Sequence, residues 1–594
     1  MTAKTDLHVH SKHSDQPTEW LLRKVGAPES FTEPREIYRR CRERGMRFVT
    51  ISDHDSIAGA LEIAHLPGTF LSCEVTVEFP EDGCEIHLLV SGISERQHRD
   101  LQEIRRDVYE VRDYVRREGI AHSVAHPLFR VNDRLTLDQV EKLLVLFDRF
   151  EALNGMHDRR ANDLVRRIFG ALDREMVETL AERHRIEPFG PTPWIKSFTG
   201  GSDDHSGLYL GATWTETPEA ATVEDFLAHL RAGRHQPGGD TGSSARLLQS
   251  LYAISYEFYR RQFPFGIERR TDPFAELLRG LALGHPPEQA HERPLWKRLW
   301  SWRAPVGPET VGQAEQATFG SASRACEKHL GKLLRGVVRH ARRGRLMEGL
   351  ASVSQLAPLA LSVAPYLVAV HSLHKDADLL DAASERFLGR RLEGRSGKRV
   401  WLTDSLNGAE ETARVLQRLP GSGSEREIEA LTCAPAAHSP AGLPVHRFRS
   451  RMRIPLPGWE RRHLLIPPLL EVIERCEAER YAEIVISTPG PLGLLGVAAG
   501  RLLGIPVTAV WQEDVPARVR AATGSESLQE LSWSYLRWLY GQAARVWVPS
   551  QPERELLIAR GFDPARLAVL TARPRNVALP GWDVAGAAAR RVAV

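Results

Sequence analysis

Cysteine is scarce and irregularly spaced. Six residues, at 41, 73, 84, 326, 433 and 476, include no CxxC pair, which argues against a disulfide framework or a zinc ribbon and leaves reduced thiols. Charge of one sign is also lacking. With 79 Lys and Arg against 76 Asp and Glu, the formal net charge of +3 gives a 594-residue chain little field for gathering a polyanion, so nucleic acid is not indicated as a partner. The apolar stretch LAPLALSVAPYLVAV (356–370) is interrupted by Pro358 and Pro365 and falls short of the roughly 20 residues of a membrane span. The opening MTAKTDLHVH has neither the basic nor the apolar region of a secretory signal, and the cytoplasm is the expected compartment.

What is present is an ordinary globular composition, 42% hydrophobic and 26% charged, on a chain too long for one core. From residue 1 to about 245, short strand-like runs (46–52, 68–74, 85–91, 120–127, 147–155, 193–201) alternate with helical stretches (57–64, 98–118, 136–146). That rhythm predicts an α/β fold closed as a barrel or barrel-like sheet. Strand signals vanish over 246–395, predicting a helical connector. Its apolar 356–370 stretch reads as buried helix or, with Arg335, Arg339, Arg342, Arg343 and Arg345 before it, as peripheral contact with the inner membrane surface. Strands resume over 396–570 (397–405, 427–433, 482–487, 506–511, 545–549), with a turn at Asn407-Gly408 and a helix near 409–418, predicting a Rossmann-like unit. An irregular tail, 571–594, follows.

Ligand-type residues gather where the N-terminal strands end. His8 and His10 lie two apart, so that on a strand both leave one face. Asp15, His54, Glu74, His87, His126, Asp203 and His205 follow, and such strand ends converge in α/β folds. Imidazole and carboxylate without thiolate are the ligand set of zinc, manganese or iron, and nine ligands suffice for two or three ions. Asp203 and His205 are also the catalytic candidates. Asp53 and Asp55 flank His54 as candidates for orienting ligands. His122, Arg130, Arg134, Asn154 and Lys196 are candidates for touching phosphate or leaving group, with structural roles as the alternative.

Residues 5–242 resemble the PHP family, named for polymerase and histidinol phosphatase domains, in carrying those nine positions in order. His13 is an alternative to Asp15. The resemblance implies a trinuclear metal site on a distorted barrel and hydrolysis of a phosphate ester, the substrate being a phosphorylated small molecule or nucleotide. Residues 397–570 resemble the acceptor-side Rossmann domain of GT-B retaining glycosyltransferases, through VWLTDSLNGAEETARVL, TPGPLGLLG and RVWVPSQPERELLIARGF. That likeness makes Asn407, Gly408, Gln512 and Asp514 substrate-binding candidates, beside Arg130 and Lys196 in the first unit. Gln512 stands in Trp511-Gln512-Glu513-Asp514 where those enzymes usually carry a histidine. The donor-binding domain is expected to be absent or separately encoded, as a partner half. Together the resemblances imply a phosphoesterase fused to an incomplete glycosyltransferase module of glycan or glycolipid metabolism. The alternatives are a glycosyltransferase with an accessory PHP domain and a metal-stabilised scaffold.

Overall fold

A computed structural model of the chain describes residues 2–14, 26, 28–262, 273–282, 308–342, 356–390, 397–406, 428–435, 443–450, 452–455 and 463–570. The chain divides into two units, Met1–Ala322 with Ala364–Leu392, and Ser323–Val363 with Glu393–Val594. Between 244 and 388 every described regular element is helical. The helical stretch expected as a connector is therefore shared between the units, because its helices pack into them rather than bridging as a body of their own.

The first unit is built on β1 (Ala3–Thr5), β2 (Ser72–Phe79), β3 (Cys84–Ser91), β4 (Ala121–Val124), β5 (Arg149–Asn154), β6 (Ser197–Gly201), β7 (Thr213–Thr217) and β8 (Gln236–Gly239). They form a five-stranded sheet, β2-β3-β4-β5-β6, and a three-stranded sheet, β1-β7-β8. Period-two alternation sets the two faces. Cys73, Val75, Val77 and Phe79 of β2, with Ile86, Leu88 and Val90 of β3, Val124 of β4 and Phe150 and Ala152 of β5, join one apolar core under the helices. Glu74, His87 and Glu151 sit at the intervening positions and face the opposite way.

Two local expectations change. The stretch 46–52 forms no regular strand; it has one bridge, Val49 to Thr69, and single backbone hydrogen bonds from Arg47 to Lys4 and from Ser52 to Val9. The helix expected over 98–118 is two, Glu95–Ile104 and Val108–Arg117, because Asp107 turns its carboxylate onto the N–H groups of Tyr109 and Glu110 and starts a new helix. The run at 356–370 lies in the helix Leu356–His374, where Tyr366, Val368, Ala369 and Val370 are buried. No helix among the described residues is long and apolar enough to cross a membrane. The helix expected near 409–418, and Arg343 and Arg345, lie outside the described residues.

In the second unit, β9 (Arg399–Leu402), β10 (Ile428–Thr432), β11 (Val445–Arg447), β14 (Glu483–Ile486), β15 (Val507–Val510), β16 (Arg545–Val548) and β17 (Leu567–Val569) form a seven-stranded sheet in the order β11-β10-β9-β14-β15-β16-β17. Every neighbouring pair is parallel. A short antiparallel pair, β12 (Met452–Pro455) with β13 (His463–Ile466), stands apart from it. The order runs outward from β9 in both directions, which is the doubly wound Rossmann-like arrangement, with its switch point between β9 and β14.

Candidate functional site

In the first unit one carboxylate is ringed by imidazoles. Glu74, fully buried, has Oε2 at 3.0 Å from His8 Nε2, 3.2 Å from His10 Nε2 and 3.3 Å from His54 Nδ1. Its Oε1 lies 2.8 Å from His87 Nδ1 and 3.2 Å from His126 Nε2. Asp203 Oδ1 stands 3.3 Å from both His8 and His10 Nε2 and 3.6 Å from His205 Nδ1. Eight of the nine expected ligands thus meet in one place, and the ninth, Asp15, lies outside the described residues. Glu74 and His87 do so from inside the β2–β3 hairpin rather than from strand ends, on the face the core does not use.

Neighbouring groups fix these ligands. Glu151 Oε1 lies 2.9 Å from His8 Nδ1, and its other oxygen accepts the His126 backbone N–H at 3.0 Å. Asp53 accepts from the Ser11 N–H (2.6 Å) and the Ser14 hydroxyl (3.3 Å), and that hydroxyl lies 3.0 Å from His10 Nδ1. Asn154 donates to Asp203 Oδ2 at 3.0 Å. His126 and Asp203 take left-handed φ values of 26° and 52°, a backbone cost that tends to collect at functional sites. Asp55 faces away from the cluster, accepting from the Thr76 N–H at 2.9 Å and Arg105 at 3.2 Å.

Two members were not foreseen. Glu29, buried in the loop before Pro34, has Oε2 at 3.2 Å from His54 Nε2 and 3.5 Å from His205 Nε2. His157 Nε2 stands 3.8 Å from Asp203 Oδ2 and shares a possible three-ligand group with His126 and Asp203. Only Asn154 marks that loop in the sequence, and nothing there marks Glu29.

The electrostatics are those of imidazoles and carboxylates buried face to face. Burial alone would depress His8, yet Asp203 and Glu74 hold it well above its usual range; His54, beside Glu74 and Glu29, is pushed up to about 10 against its burial. Burial would raise Glu74 and Asp203, but the facing histidines hold both far below the carboxylate range. His8 has a carboxylate at each ring nitrogen. A protonated ring donates at both nitrogens, whereas a neutral ring has one N–H and leaves the other nitrogen free to ligate a cation. Ligands bound about 2.1 Å from one ion at near right angles sit roughly 3 Å apart, the range seen here.

Four candidates are placed elsewhere. Lys196 precedes Phe198, which packs on the core; on the same strand face it donates to the Leu144 and Phe147 carbonyls at 2.5 and 2.7 Å, and burial lowers it to about 7. Arg130 is forked onto Asp378 at 2.7 and 2.8 Å. Arg134 donates to the Asp82 carbonyl at 2.7 Å. His122 shares the face of Val124, toward the helices, with its ring against Phe147 and Phe189.

Burial drops His122 from its usual 6.5 to about 4. The folded state therefore binds fewer protons than the unfolded chain between those values, so the stability His122 contributes is whole above pH 6.5 and lost as pH falls toward 4. His122→Phe is expected to flatten that acid arm of a melting-temperature profile, by up to about 3 kcal/mol. An unchanged slope would show that His122 is not buried neutral.

In the second unit Asp404 lies just past β9, at the switch point. It accepts from the Thr488 hydroxyl at 2.6 Å and the Leu492 N–H at 3.2 Å, at the start of the helix Pro491–Leu502, and burial raises it to about 6. Gln512 follows β15. Asp514 is an N-cap, accepting from the Ala517 N–H at 2.9 Å. Asn407 and Gly408 lie outside the described residues.

Residues 408–572 match the family described as "Glycosyl transferase 4-like domain". The chain is 30% identical over 155 residues to a GDP-mannose-dependent alpha-mannosyltransferase of Mycobacterium tuberculosis, covering 25% of this chain and 39% of that protein. It is 37% identical over 67 residues to an uncharacterized protein of Methanocaldococcus jannaschii, covering 11% of this chain and 37% of that one. The chain thus spans well under half the length of the curated relatives it matches. A crystal structure of a putative metal-dependent phosphoesterase from Bifidobacterium adolescentis aligns with a TM-score of 0.22 at 17% identity, over 34% of this chain and 87% of that one.

Proposed function

We propose that the first unit is a metal-dependent phosphoesterase that holds two or three divalent transition-metal ions, manganese, zinc or iron. The observation that carries this is Glu74, whose two oxygens face five imidazoles at 2.8–3.3 Å. Hydrogen bonds from Asp203 N to His8 O, Ser52 N to Val9 O and Glu74 N to Asp53 O link β6, residues 7–10, residues 50–54 and β2 in turn. With the five-stranded sheet, we read that ring as the distorted barrel of a PHP domain.

His8, His10, His54, Glu74, His87, His126, Asp203 and His205 would hold the ions, with Asp15 as the expected ninth ligand. Divalent ions there would neutralise phosphate charge and lower the pKa of a bound water. The chain's own part is orientation. Glu151 sets the His8 ring and raises its basicity, Ser14 and Asp53 set His10, and Asn154 holds Asp203 in place. Metal analysis tests the reading: two to three equivalents per chain are expected, and less than one after metal-supplemented growth would remove it. Glu29→Gln is expected to lower the metal content by about one equivalent and to cut turnover of an aryl phosphate by roughly 10- to 100-fold. Unchanged metal content would leave Glu29 only a structural carboxylate.

A second reading makes sugar transfer the main activity and the first unit accessory. The family match over 408–572 and the doubly wound sheet favour it. Labelled UDP- and GDP-sugars separate the two: transfer that survives Asp203→Ala supports this reading, and no transfer from either donor removes it.

A further inference from the structure

Beside the histidine–carboxylate cluster lies a cavity of about 120 Å³. One side is the cluster. The other is apolar, formed by Phe129, Met156, Leu247, Leu251, Ile254 and Leu373. Leu247, Leu251 and Ile254 stand at i, i+4 and i+7 of the helix Ser244–Gln262, so one helical face builds half of that wall. The helix is fastened in place. Arg246 donates to the Gly155 carbonyl at 3.2 Å and to Glu315 at 3.0 Å and lies over the Tyr209 ring at 4.6 Å, while the Tyr209 hydroxyl donates to Gln249 at 2.6 Å.

No Lys or Arg lines this cavity among the described residues. The adjoining pocket beyond His205 and Ile254 does hold Arg40, Arg260 and Arg261. Each is already engaged: Arg40 with Glu36 (2.6 Å) and the Gly207 carbonyl, Arg260 with Glu257 (2.6 Å), and Arg261 with the Phe31 carbonyl (3.2 Å). Among the described residues the only hydroxyls on the wall of the cavity are those of Ser250 and Ser372, and Ser250 donates to Ser206 at 3.2 Å. A ribose or hexose placed against the wall would give up water for few partners.

Building on the phosphoesterase reading, we infer that the substrate is a phosphate monoester whose ester group is apolar, seated on the Leu247–Leu251–Ile254 face. The phosphoryl group would share the space of about 120 Å³ with the ester group, the first against the cluster and the second against the apolar wall. Each methylene buried against the wall is worth roughly four-fold in kcat/KM.

The test is hydrolysis of the n-alkyl phosphates from methyl to octyl, phenyl phosphate, ribose 5-phosphate and AMP by the metal-loaded full chain. Binding of phenylphosphonate is measured alongside by calorimetry. Phenyl and butyl phosphate are expected to exceed ribose 5-phosphate and AMP by at least about ten-fold in kcat/KM. A rise that levels off near butyl indicates a small alcohol or phenol, and one that continues to octyl indicates the first carbons of a lipid phosphate. Leu251→Ser is expected to lower the butyl-to-methyl ratio about ten-fold and to weaken phenylphosphonate binding by a similar factor, with metal content at the parent value. Turnover of AMP or ribose 5-phosphate equal to that of butyl phosphate, or a ratio untouched by Leu251→Ser, overturns the inference alone. Phenylphosphonate binding without hydrolysis of any ester overturns the phosphoesterase reading on which it rests.

Discussion

Glu74→Gln is expected to take bound metal below one equivalent per chain and to cut phosphate-ester hydrolysis on the order of 10³-fold. The amide keeps the size of the side chain and its place in β2, but it removes the negative charge and turns one of the two acceptor atoms into a donor. Five imidazole nitrogens now share the two oxygens. Facing an NH2 group, at least two of them would no longer lie beside an acceptor or a shared cation. Glu78→Gln, four residues along the same strand face, is the matched control and should leave both quantities near the parent values. Metal analysis and a steady-state assay on the two variants decide the matter. Full metal occupancy in Glu74→Gln would mean that the carboxylate is not a shared metal ligand.

The positions legible in sequence were those set by local spacing. His8 and His10 share a side because they are two apart, and Asp203 and His205 follow a glycine-ended strand. Glu74 and His87 were found for a partly mistaken reason: they lie within a hairpin, and the alternation that buries Val75 and Leu88 turns them toward the site. The same alternation, carried from Phe198 back to Lys196 and from Val124 to His122, places both outside it. Asp514 also carried a readable signal, since an Asp followed within two residues by Pro516 marks a helix start. Other features had no local mark. Glu29 reaches His54 through a loop, Arg130 meets Asp378 across 248 positions, and the apolar face of the helix Ser244–Gln262 has the same spacing whether it meets a core or a cavity.

Gly201→Ala is expected to destabilise the first unit by about 3 kcal/mol and to lower its metal content as well. A Cβ at this position would stand 2.3 Å from His8 Cβ, 2.7 Å from His8 N and 3.0 Å from His8 Cα. Two of those three atoms are backbone, and no rotamer change relieves them. The strain must therefore move either β6 or residues 7–10. Either movement disturbs a ligand, because His8 is in contact with the methyl group and Asp203 follows two residues after it, with its N–H donated to the His8 carbonyl at 2.7 Å. Gly170 supplies the contrast. It ends the helix Arg159–Gly170, and a Cβ there meets nothing within 4 Å. Gly170→Ala is thus expected to be neutral or to stabilise by up to about 1 kcal/mol through helix propensity. Thermal melting of the two variants, with metal analysis of each, gives the comparison. If Gly201→Ala melts with the parent protein and keeps its metal, then β6 and residues 7–10 are not packed backbone to backbone, and the convergence of His8 with Asp203 loses its structural basis.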